Sequence, residues 1–226
     1  MKIAILTGAG ISAESGLGTF RDVDGLWTRY DLNEVATPEG FARNPALVHD
    51  FYNARRANCV AAMPNAAHHA LARLMADARH DVILITQNVD DLHERAGSRG
   101  VIHMHGELLR ALCAACGHRW DVPAVMAPDN PCPRCTSPAT RPDVVWFGEV
   151  PYAMDTIADA VAQADLFVAI GTSAEVYPAG GLVELAGGET LELNLAPSAR
   201  ANSFGKHRFG LATKVVPDWV MELTAL

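Results

Sequence analysis

Short apolar runs rich in β-branched residues recur along the chain. They lie at residues 2–7, 82–86, 143–147, 166–170 and 190–194, with a further run near 214–216. Helix-like segments separate several of these runs, most clearly at 153–164 and 178–186. Buried strands that alternate with helices are typical of an open parallel sheet with helices on both faces. The pattern therefore predicts an α/β fold built on a doubly wound parallel sheet.

Two intervals, about 17–80 and 108–142, interrupt this alternation and are interpreted as insertions. In the first, Asn44-Pro45 resembles an N-cap followed by a first helical position, and apolar residues at helical spacing predict a helix near 45–60. Asn65 predicts the cap of a second helix in the same interval.

Composition limits the partners of the chain. Half of the 226 residues are apolar and 19% are charged, and no apolar stretch reaches the roughly 18 residues that a membrane span requires. The net charge is -8, with three lysines and fifteen arginines, which is a poor composition for tracking a phosphate backbone. The first apolar run leads into glycines rather than a signal-peptide cleavage pattern. We therefore expect a cytoplasmic protein that binds neither membrane nor nucleic acid.

The first run ends in a glycine-rich turn. Gly8-Ala9-Gly10-Ile11-Ser12-Ala13 fits the G-x-G-x-x-G/A pattern at a strand-to-helix junction, where backbone N–H groups attract a pyrophosphate. A tight turn without a ligand fits this motif equally well. An ordinary dehydrogenase would place a second strand with an acidic end about 20 residues later. Here a loop with Phe20 and Arg21 takes that place.

Four of the five cysteines form two close pairs with fifteen residues between the pairs. They are Cys113, Cys116, Cys132 and Cys135. The spacing is typical of a four-thiolate zinc ribbon, in which the metal stabilises the module and leaves no position for a catalytic water. Disulfides would fit a reducing cytoplasm poorly. A nucleic-acid finger is disfavoured because residues 117–131 offer only His118 and Arg119 as cations.

These features predict two domains. The larger is Rossmann-like and comprises residues 1–16, 81–107 and 143–226. The smaller combines a helical insertion at 17–80 with the zinc ribbon at 108–142.

A polar constellation follows the second apolar run, and with the glycine turn it resembles the sirtuins, motif by motif and in the family's order. The motifs are Gly8-Ala9-Gly10-Ile11-Ser12, Thr19-Phe20-Arg21, Gln87-Asn88-Val89-Asp90, His103-Met104-His105-Gly106, the cysteine quartet, Phe147-Gly148-Glu149, Gly171-Thr172-Ser173 and Val176-Tyr177-Pro178-Ala179. The resemblance extends from about residue 3 to about residue 217, nearly the whole chain.

The resemblance implies a cleft between the two domains in which NAD meets an acylated lysine of a protein substrate. It implies contacts to adenosine and phosphates for the residues Gly8, Ala9, Gly10, Arg21, Gly171, Thr172, Ser173 and Asn194. It implies contacts to the nicotinamide ribose and carboxamide for Gln87, Asn88 and Asp90, with Phe20 over the reactive carbon. Ile11, Ser12, Val89 and Ala212 are assigned to the same cofactor site.

The resemblance also implies the reaction and its catalytic residues, His105 and Asn88. The acyl oxygen attacks the ribose carbon as nicotinamide leaves, and His105 takes a proton from a ribose hydroxyl. A neutral histidine suits this step because its ordinary pKa is near 6.5. The expected products are free lysine, nicotinamide and O-acyl-ADP-ribose.

Three residues bear on the acyl group. Tyr52 and Arg55 project from one face of the predicted helix, and their stretch resembles the sirtuin branch that accepts succinyl and malonyl lysine. Ala36 matches a small residue that widens the acyl pocket of that branch. A guanidinium can bind a carboxylate bidentately, so we predict desuccinylase and demalonylase activity beside deacetylase activity. The resemblance also implies backbone contacts to the peptide from Phe147, Gly148, Glu149, Val176 and Tyr177.

Two other functions remain open from the residues alone. The same cleft could serve an ADP-ribosyltransferase or NAD hydrolase, which would consume NAD without an acylated peptide. A non-catalytic NAD-sensing or zinc-dependent interaction protein would bind NAD without releasing nicotinamide, although retention of His105, Asn88 and Asp90 argues against it.

Overall fold

A six-stranded parallel sheet forms the larger part of the molecule in the computed structural model, which describes residues 1–18 and 30–225. The strands in chain order are β1 Lys2–Thr7, β2 Asp81–Thr86, β3 Ile102–His103, β4 Gly106–Cys113, β5 Arg119–Asp121, β6 Thr140–Val144, β7 Leu166–Ile170, β8 Glu189–Asn194 and β9 Lys206–Phe209. The large sheet has the order β3-β2-β1-β7-β8-β9, with every neighbouring pair parallel. This confirms the predicted doubly wound α/β fold.

Seven α-helices accompany the strands in the described part of the chain. They are α1 Leu32–Val35, α2 Pro38–Arg43, α3 Pro45–Ala61, α4 Ala66–Ala76, α5 Leu92–Arg95, α6 Met154–Ala162 and α7 Ala212–Thr224. The helices predicted near 45–60 and after Asn65 are confirmed as α3 and α4. Both N-caps are as expected, because the Asn44 side chain accepts a hydrogen bond from Leu47 N and that of Asn65 accepts one from Ala67 N.

The two faces of the large sheet bury separate apolar clusters. In β1, Ile3 and Ile5 belong to the cluster covered by α4 and α7, whereas Ala4 and Leu6 belong to the cluster covered by α6. Alternate residues of a strand point to opposite faces, so a continuous apolar run is the expected pattern for a sheet buried on both sides.

A second, antiparallel sheet of three strands has the order β5-β4-β6. It packs with α3 in a third apolar cluster, whose aromatic members include Phe51, Tyr52 and Trp146. The rings of Phe51 and Tyr52 meet edge to face at 5.1 Å between centroids. These elements form the smaller part of the molecule.

Two strand predictions are wrong. Residues 214–216 lie inside α7, where Val216, Trp219 and Val220 recur at helical spacing and pack on the sheet. The strand predicted at 143–147 is β6, which lies earlier in the chain and pairs with β4 in the small sheet instead of joining the large one. The segment predicted as a helix at 178–186 is a 3-10 helix, Ala179–Leu185.

Helix α4 packs on the large sheet, although the sequence grouped it with the helical insertion. Its residues Ala67, Leu71 and Leu74 are fully buried in the same cluster as Ile3 and Ile5 of β1. Among the described residues, the helices that share a cluster with the small sheet are those before α4. The domain division at 17–80 therefore stays a prediction, and the packing favours a boundary before α4.

Arg79, in the loop between α4 and β2, contacts both ends of the chain. Its carbonyl oxygen accepts a hydrogen bond from the Met1 amino group at 3.2 Å. Its guanidinium donates to the carbonyl oxygen of Thr224 at 2.6 Å. Both ends thus lie at the edge of the sheet where β1 and β2 begin.

Candidate active site

Three loops that bear predicted site residues leave the same edge of the large sheet. Gly8, Gln87 and Gly171 each follow directly after one of the adjacent strands β1, β2 and β7. The carboxyl ends of parallel strands are where α/β folds form their ligand crevices. The register of the sheet therefore brings together residues that are distant in sequence.

Close backbone packing explains the glycines of this edge. Gly8 N donates to the Ile170 carbonyl at 2.9 Å, and Gly10 N donates to the Gly171 carbonyl at 2.8 Å. A Cβ on Gly10 would lie 2.7 Å from Gly171 Cα, and Gly171 itself has a positive φ of 61°. The segment after β1 forms two 3-10 turns, Ala9–Ile11 and Ala13–Ser15, instead of the helix start that the motif predicted.

A hydrogen-bonded network joins this turn to the loop after β2. Asn88 Nδ2 donates to Ser12 Oγ at 3.2 Å, and Ser12 Oγ donates to Asp90 Oδ2 at 3.1 Å. Leu92 N donates to the other Asp90 oxygen at 3.2 Å. Burial raises the pKa of Asp90, although these hydrogen bonds oppose the shift. Gln87 completes the set by donating from Nε2 to Thr172 Oγ1 at 2.9 Å.

His105 precedes the first residue of β4 and is half-buried. Its Nδ1 lies 3.0 Å from the Gln87 carbonyl oxygen, which can only accept, so Nδ1 carries the proton in the neutral ring. Nε2 is then left with a lone pair. Burial lowers the pKa of His105, and the hydrogen bond to Gln87 only partly opposes this. The ring is therefore neutral at pH 7 and able to accept a proton.

His103, the other histidine of this segment, is not suited to that role. Its Nδ1 faces the Asn88 carbonyl at 3.2 Å and its Nε2 faces the Glu94 carboxylate at 2.9 Å. Burial lowers its pKa, but the hydrogen bond and charge of Glu94 outweigh burial and raise it overall. Both nitrogens are directed at acceptors, so this ring has no lone pair to offer while both bonds are made.

The remaining residues predicted for the cofactor site lie after β7, at the end of β8 and at the start of α7. Asn194 Nδ2 donates to the Thr172 carbonyl at 2.8 Å, and Ala199 N donates to the Ser173 carbonyl at 3.0 Å. Ala212 is the first residue of α7. Phe20 and Arg21, which were also predicted for this site, lie outside the described residues.

Two of the three residues predicted to select the acyl group, Tyr52 and Ala36, lie in the third apolar cluster, and Arg55 lies beside Tyr52. Tyr52 is fully buried, and its hydroxyl accepts a hydrogen bond from Trp146 Nε1 at 2.9 Å. Ala36 is buried in the same cluster, and its carbonyl accepts from Phe147 N at 2.9 Å. The Arg55 guanidinium carbon lies 5.4 Å from the Tyr52 ring centroid, and burial lowers the pKa of Arg55.

Arg56, the residue after Arg55 on α3, is 2% exposed and has different partners. Its guanidinium donates to the Asn53 side chain, which also exchanges two 2.9 Å hydrogen bonds with the backbone of Met126. Burial lowers the pKa of Arg56 to about 10. Of the two arginines, Arg55 shares the surroundings of Tyr52, whereas Arg56 supports the contact between α3 and the loop after β5.

The predicted peptide-binding segments differ in what they leave exposed. Gly148 has a positive φ of 90° with open space around its Cα, and Phe147 and Tyr177 are 46% and 59% exposed. Glu149 is committed to the fold, because Arg141 binds its carboxylate at 2.6 and 2.9 Å and Trp146 N donates to it at 2.8 Å. Glu149 is therefore expected to contact a peptide through its backbone and not through its carboxylate.

The four paired cysteines converge in the small sheet, with all four Sγ atoms within 4.8 Å of one another. The Cys113–Cys135 and Cys116–Cys132 sulfur pairs are 3.6 and 3.8 Å apart. A zinc ion with Zn–S bonds of about 2.3 Å separates its sulfurs by about 3.8 Å, so the quartet fits a tetrahedral zinc ion. The metal would hold the end of β4 to the loop after it and to the loop between β5 and β6.

The chain combines the glycine turn, the network of Asn88, Ser12 and Asp90, the neutral His105 and the cysteine quartet. Comparison with known proteins identifies this combination. The family model described as "Sir2 family" matches residues 8–178. The chain belongs to the Sir2 family. A relative from Caulobacter vibrioides, named NAD-dependent protein deacylase, is 60% identical over 232 residues, which is 100% of this chain and 98% of the relative.

Solved structures of the Sir2 family give the same result. A Sir2 homologue in complex with NAD is 40% identical, with a TM-score of 0.86 over 99% of this chain and 89% of that one. A Sir2 protein bound to a propionylated peptide is 28% identical, with a TM-score of 0.83 over 99% and 93% of the two chains. Among the described residues, no helix is both long and apolar enough to cross a bilayer.

Several residues behind this Sir2-family site were missed from the sequence. Thr7 Oγ1 lies 3.0 Å from His93 Nε2 and donates to Thr86 Oγ1 at 2.9 Å, and Thr86 Oγ1 accepts from Asn88 N at 3.0 Å. His68 contacts Ser12 from the other side. One sequence signal could have indicated a role for His68. It follows the N-cap Asn65 by three residues, and its side chain can accept a hydrogen bond there.

Proposed function

We propose that this chain is an NAD-dependent protein-lysine deacylase that transfers the acyl group to ADP-ribose. The observation that carries the proposal is the hydrogen bond from His105 Nδ1 to the Gln87 carbonyl. It leaves Nε2 of a neutral ring as a base, beside the network of Ser12, Asn88 and Asp90. The names of the relatives and the complexes of related structures with NAD and an acylated peptide support the same function.

The residues present fit the groups that they would bind. Bound NAD supplies an electrophilic ribose carbon from which nicotinamide can leave. The Asn88 amide and Asp90 carboxyl group offer hydrogen bonds to ribose hydroxyls and the carboxamide. His105 Nε2 would take a proton from a ribose hydroxyl, which would make that oxygen a better nucleophile toward the acyl carbon. The lysine nitrogen would leave as the free amine, and one water molecule would supply the remaining oxygen and hydrogens of O-acyl-ADP-ribose. The apolar cluster around Tyr52 and Trp146 would surround the acyl chain.

The finer proposal is that the acyl group is succinyl or malonyl as well as acetyl. The Arg55 guanidinium lies over the ring of Tyr52, and Ala36, a small residue, belongs to the same apolar cluster as Tyr52. The guanidinium can bind a terminal carboxylate through two hydrogen bonds, and the Tyr52 hydroxyl can donate a third. A cytoplasmic location is part of the proposal and is supported by the four-thiolate quartet, because thiolate ligands stay reduced in that compartment.

Mass spectrometry of NAD products tests the function directly. The protein is incubated with NAD and a peptide whose lysine is unmodified, acetylated or succinylated. We expect nicotinamide and O-acyl-ADP-ribose with both acylated peptides, neither product with the unmodified peptide, and loss of turnover in His105→Ala. Nicotinamide release with the unmodified peptide would indicate an NAD hydrolase or ADP-ribosyltransferase. NAD binding without nicotinamide release from any peptide would indicate a sensing protein.

A further inference from the structure

His68 is a fully buried histidine at the base of the cofactor network, and no role in the proposed reaction uses it. It is the third residue of α4, where its Nδ1 accepts a hydrogen bond from Asn65 N at 3.2 Å in a capping box. Its Nε2 lies 3.4 Å from Ser12 Oγ. The ring also meets His93 edge to face at 5.0 Å. The same imidazole thus touches both a helix cap and the hydroxyl between Asn88 and Asp90.

The cap determines which nitrogen of His68 carries the proton. A backbone N–H can only donate, so Nδ1 must be the unprotonated acceptor and Nε2 must bear the hydrogen. Burial lowers the pKa of His68 to about 4, so the neutral form persists at pH 7. Nε2–H therefore points at Ser12 Oγ as a donor.

This proton then fixes the direction of every hydrogen bond at Ser12. The hydroxyl oxygen accepts from His68 Nε2–H and Asn88 Nδ2–H, which occupies both of its lone pairs. Its own hydrogen must then be donated to Asp90 Oδ2. The Ser12 hydroxyl is thus restricted to one hydrogen-bonding arrangement, whereas a free hydroxyl could adopt several.

We infer that His68 is a positioning residue, which acts through Ser12 to orient the Asn88 amide and the Asp90 carboxyl group toward the nicotinamide end of NAD. The inference rests on the proposed function, because it needs those two side chains to contact NAD. It extends that function by assigning a role to a helix cap that lies behind the cleft. A preorganised polar group does not have to reorient when the ligand binds, so it binds more tightly.

A purely structural role, in which His68 only fills space and caps α4, makes different predictions for two substitutions. In His68→Asn, Oδ1 lies where Nδ1 does and can keep the capping bond, but no group reaches Ser12. In His68→Gln, the amide offers an acceptor to Asn65 N and a neighbouring N–H to Ser12, and glutamine is a favoured residue in capping boxes. The exposed neighbour His69 provides the matched control, His69→Asn.

The experiment measures the dissociation constant of NAD by calorimetry, without peptide, for wild type, His68→Asn, Ser12→Ala and the double variant. We expect His68→Asn to weaken binding about tenfold, as for one lost hydrogen bond, and to weaken it less than twofold when Ser12 is already alanine. His68→Gln and His69→Asn should stay within about twofold of wild type. The thermal midpoints of all variants are recorded alongside.

Two outcomes would overturn the inference: wild-type affinity in His68→Asn, or losses that multiply in the double variant. If His68→Asn does not fold, His68→Leu enters the same cycle, because it also removes the donor and is apolar. The proposed function fails on separate grounds, when wild-type protein binds NAD but releases no nicotinamide with any acylated peptide. If the wild-type protein deacylates peptides but the free-energy losses of His68→Asn and Ser12→Ala are additive, only the role of His68 is rejected.

Discussion

The indole Nε1–H of Trp146 donates to the Tyr52 hydroxyl across 2.9 Å, inside the cluster that joins α3 to the small sheet. Both side chains are at most 3% exposed, so the position of the hydroxyl is set by the core and not by solvent. That oxygen accepts hydrogen bonds from the indole and from the Arg55 guanidinium, so its own hydrogen is the group that it can offer to a ligand. Tyr52 is therefore suited to donate to an acyl carboxylate that Arg55 attracts.

Replacing Arg55 with Met tests this acyl selectivity. We expect kcat/KM for a succinyl-lysine peptide to fall by about ten- to a hundredfold, because a charge-assisted contact of about 1.5–3 kcal/mol is lost. Turnover of the acetyl-lysine peptide should change by less than about threefold, since that acyl group carries no charge. Steady-state kinetics with both peptides at saturating NAD measure the two values. The exposed Arg99, replaced by Met, serves as the control and should affect neither. Equal losses with the two peptides would exclude Arg55 as the carboxylate ligand.

The pH dependence of turnover tests the role of His105. Because burial lowers the pKa of its ring, the basic form should persist to more acidic pH than for an ordinary histidine. We expect kcat/KM to rise with pH and level off, with the midpoint of the acidic limb below the ordinary value of 6.5. A profile between pH 5 and 8 with the acetyl-lysine peptide gives this midpoint. A limb centred above pH 7 would point to a group with a raised pKa, such as His103.

Metal removal tests the cysteine quartet. One zinc ion per chain is expected by elemental analysis, and Cys116→Ser should lose it, lower the thermal midpoint by about 5 °C or more, and reduce deacylation. Activity should suffer because β4 runs from Gly106, next to His105, to Cys113. Cys59→Ala is the control, since Cys59 lies on α3 beside Asp91 and not in the quartet. Full zinc content in Cys116→Ser would contradict the assignment.

The buried histidines predict a loss of stability in acid. Burial lowers the pKa of His93 to about 3 and that of His68 to about 4, so the unfolded chain binds protons first as the pH falls below 6.5. Stability should be unaffected above that pH and should fall by about 2 kcal/mol per ring by pH 5. Urea unfolding of wild type and His93→Gln at pH 7.5 and 5.0 measures the difference. Glutamine keeps a donor for Thr7 but cannot titrate, and His69→Gln should leave the wild-type pH dependence intact. Identical pH dependences in wild type and His93→Gln would contradict the prediction.

The sequence predicts the elements that have a strong apolar pattern or a definite cap. β1, β2 and β7 are apolar runs buried on both faces, and β8 has one apolar face, formed by Leu191 and Leu193. α3 and α4 begin at asparagines that cap them. β9 could not be seen, because Lys206-His207-Arg208-Phe209 shows no apolar alternation at the edge of the sheet. β6 was misplaced because its first residues include Arg141 and Pro142, whereas the apolar residues after it are loop.

For the site, motifs predict which residues are present, but the contacts of those residues depend on tertiary packing. Spacing alone predicts the cysteine quartet. The resemblance of motifs predicts Ser12, Asn88 and His105 as site residues. The sequence cannot say that Glu149 is bound by Arg141, or that His103 faces two acceptors, because those contacts depend on how distant segments pack. These contacts distinguish a side chain available to a ligand from one already committed to the fold.

Arg79 contacts both Met1 and Thr224 at the end of the large sheet that lies opposite to the glycine turn. A tag or surface anchor placed at either of these two residues would therefore lie away from the crevice. Large acylated substrates would still reach the crevice of a protein immobilised in this way.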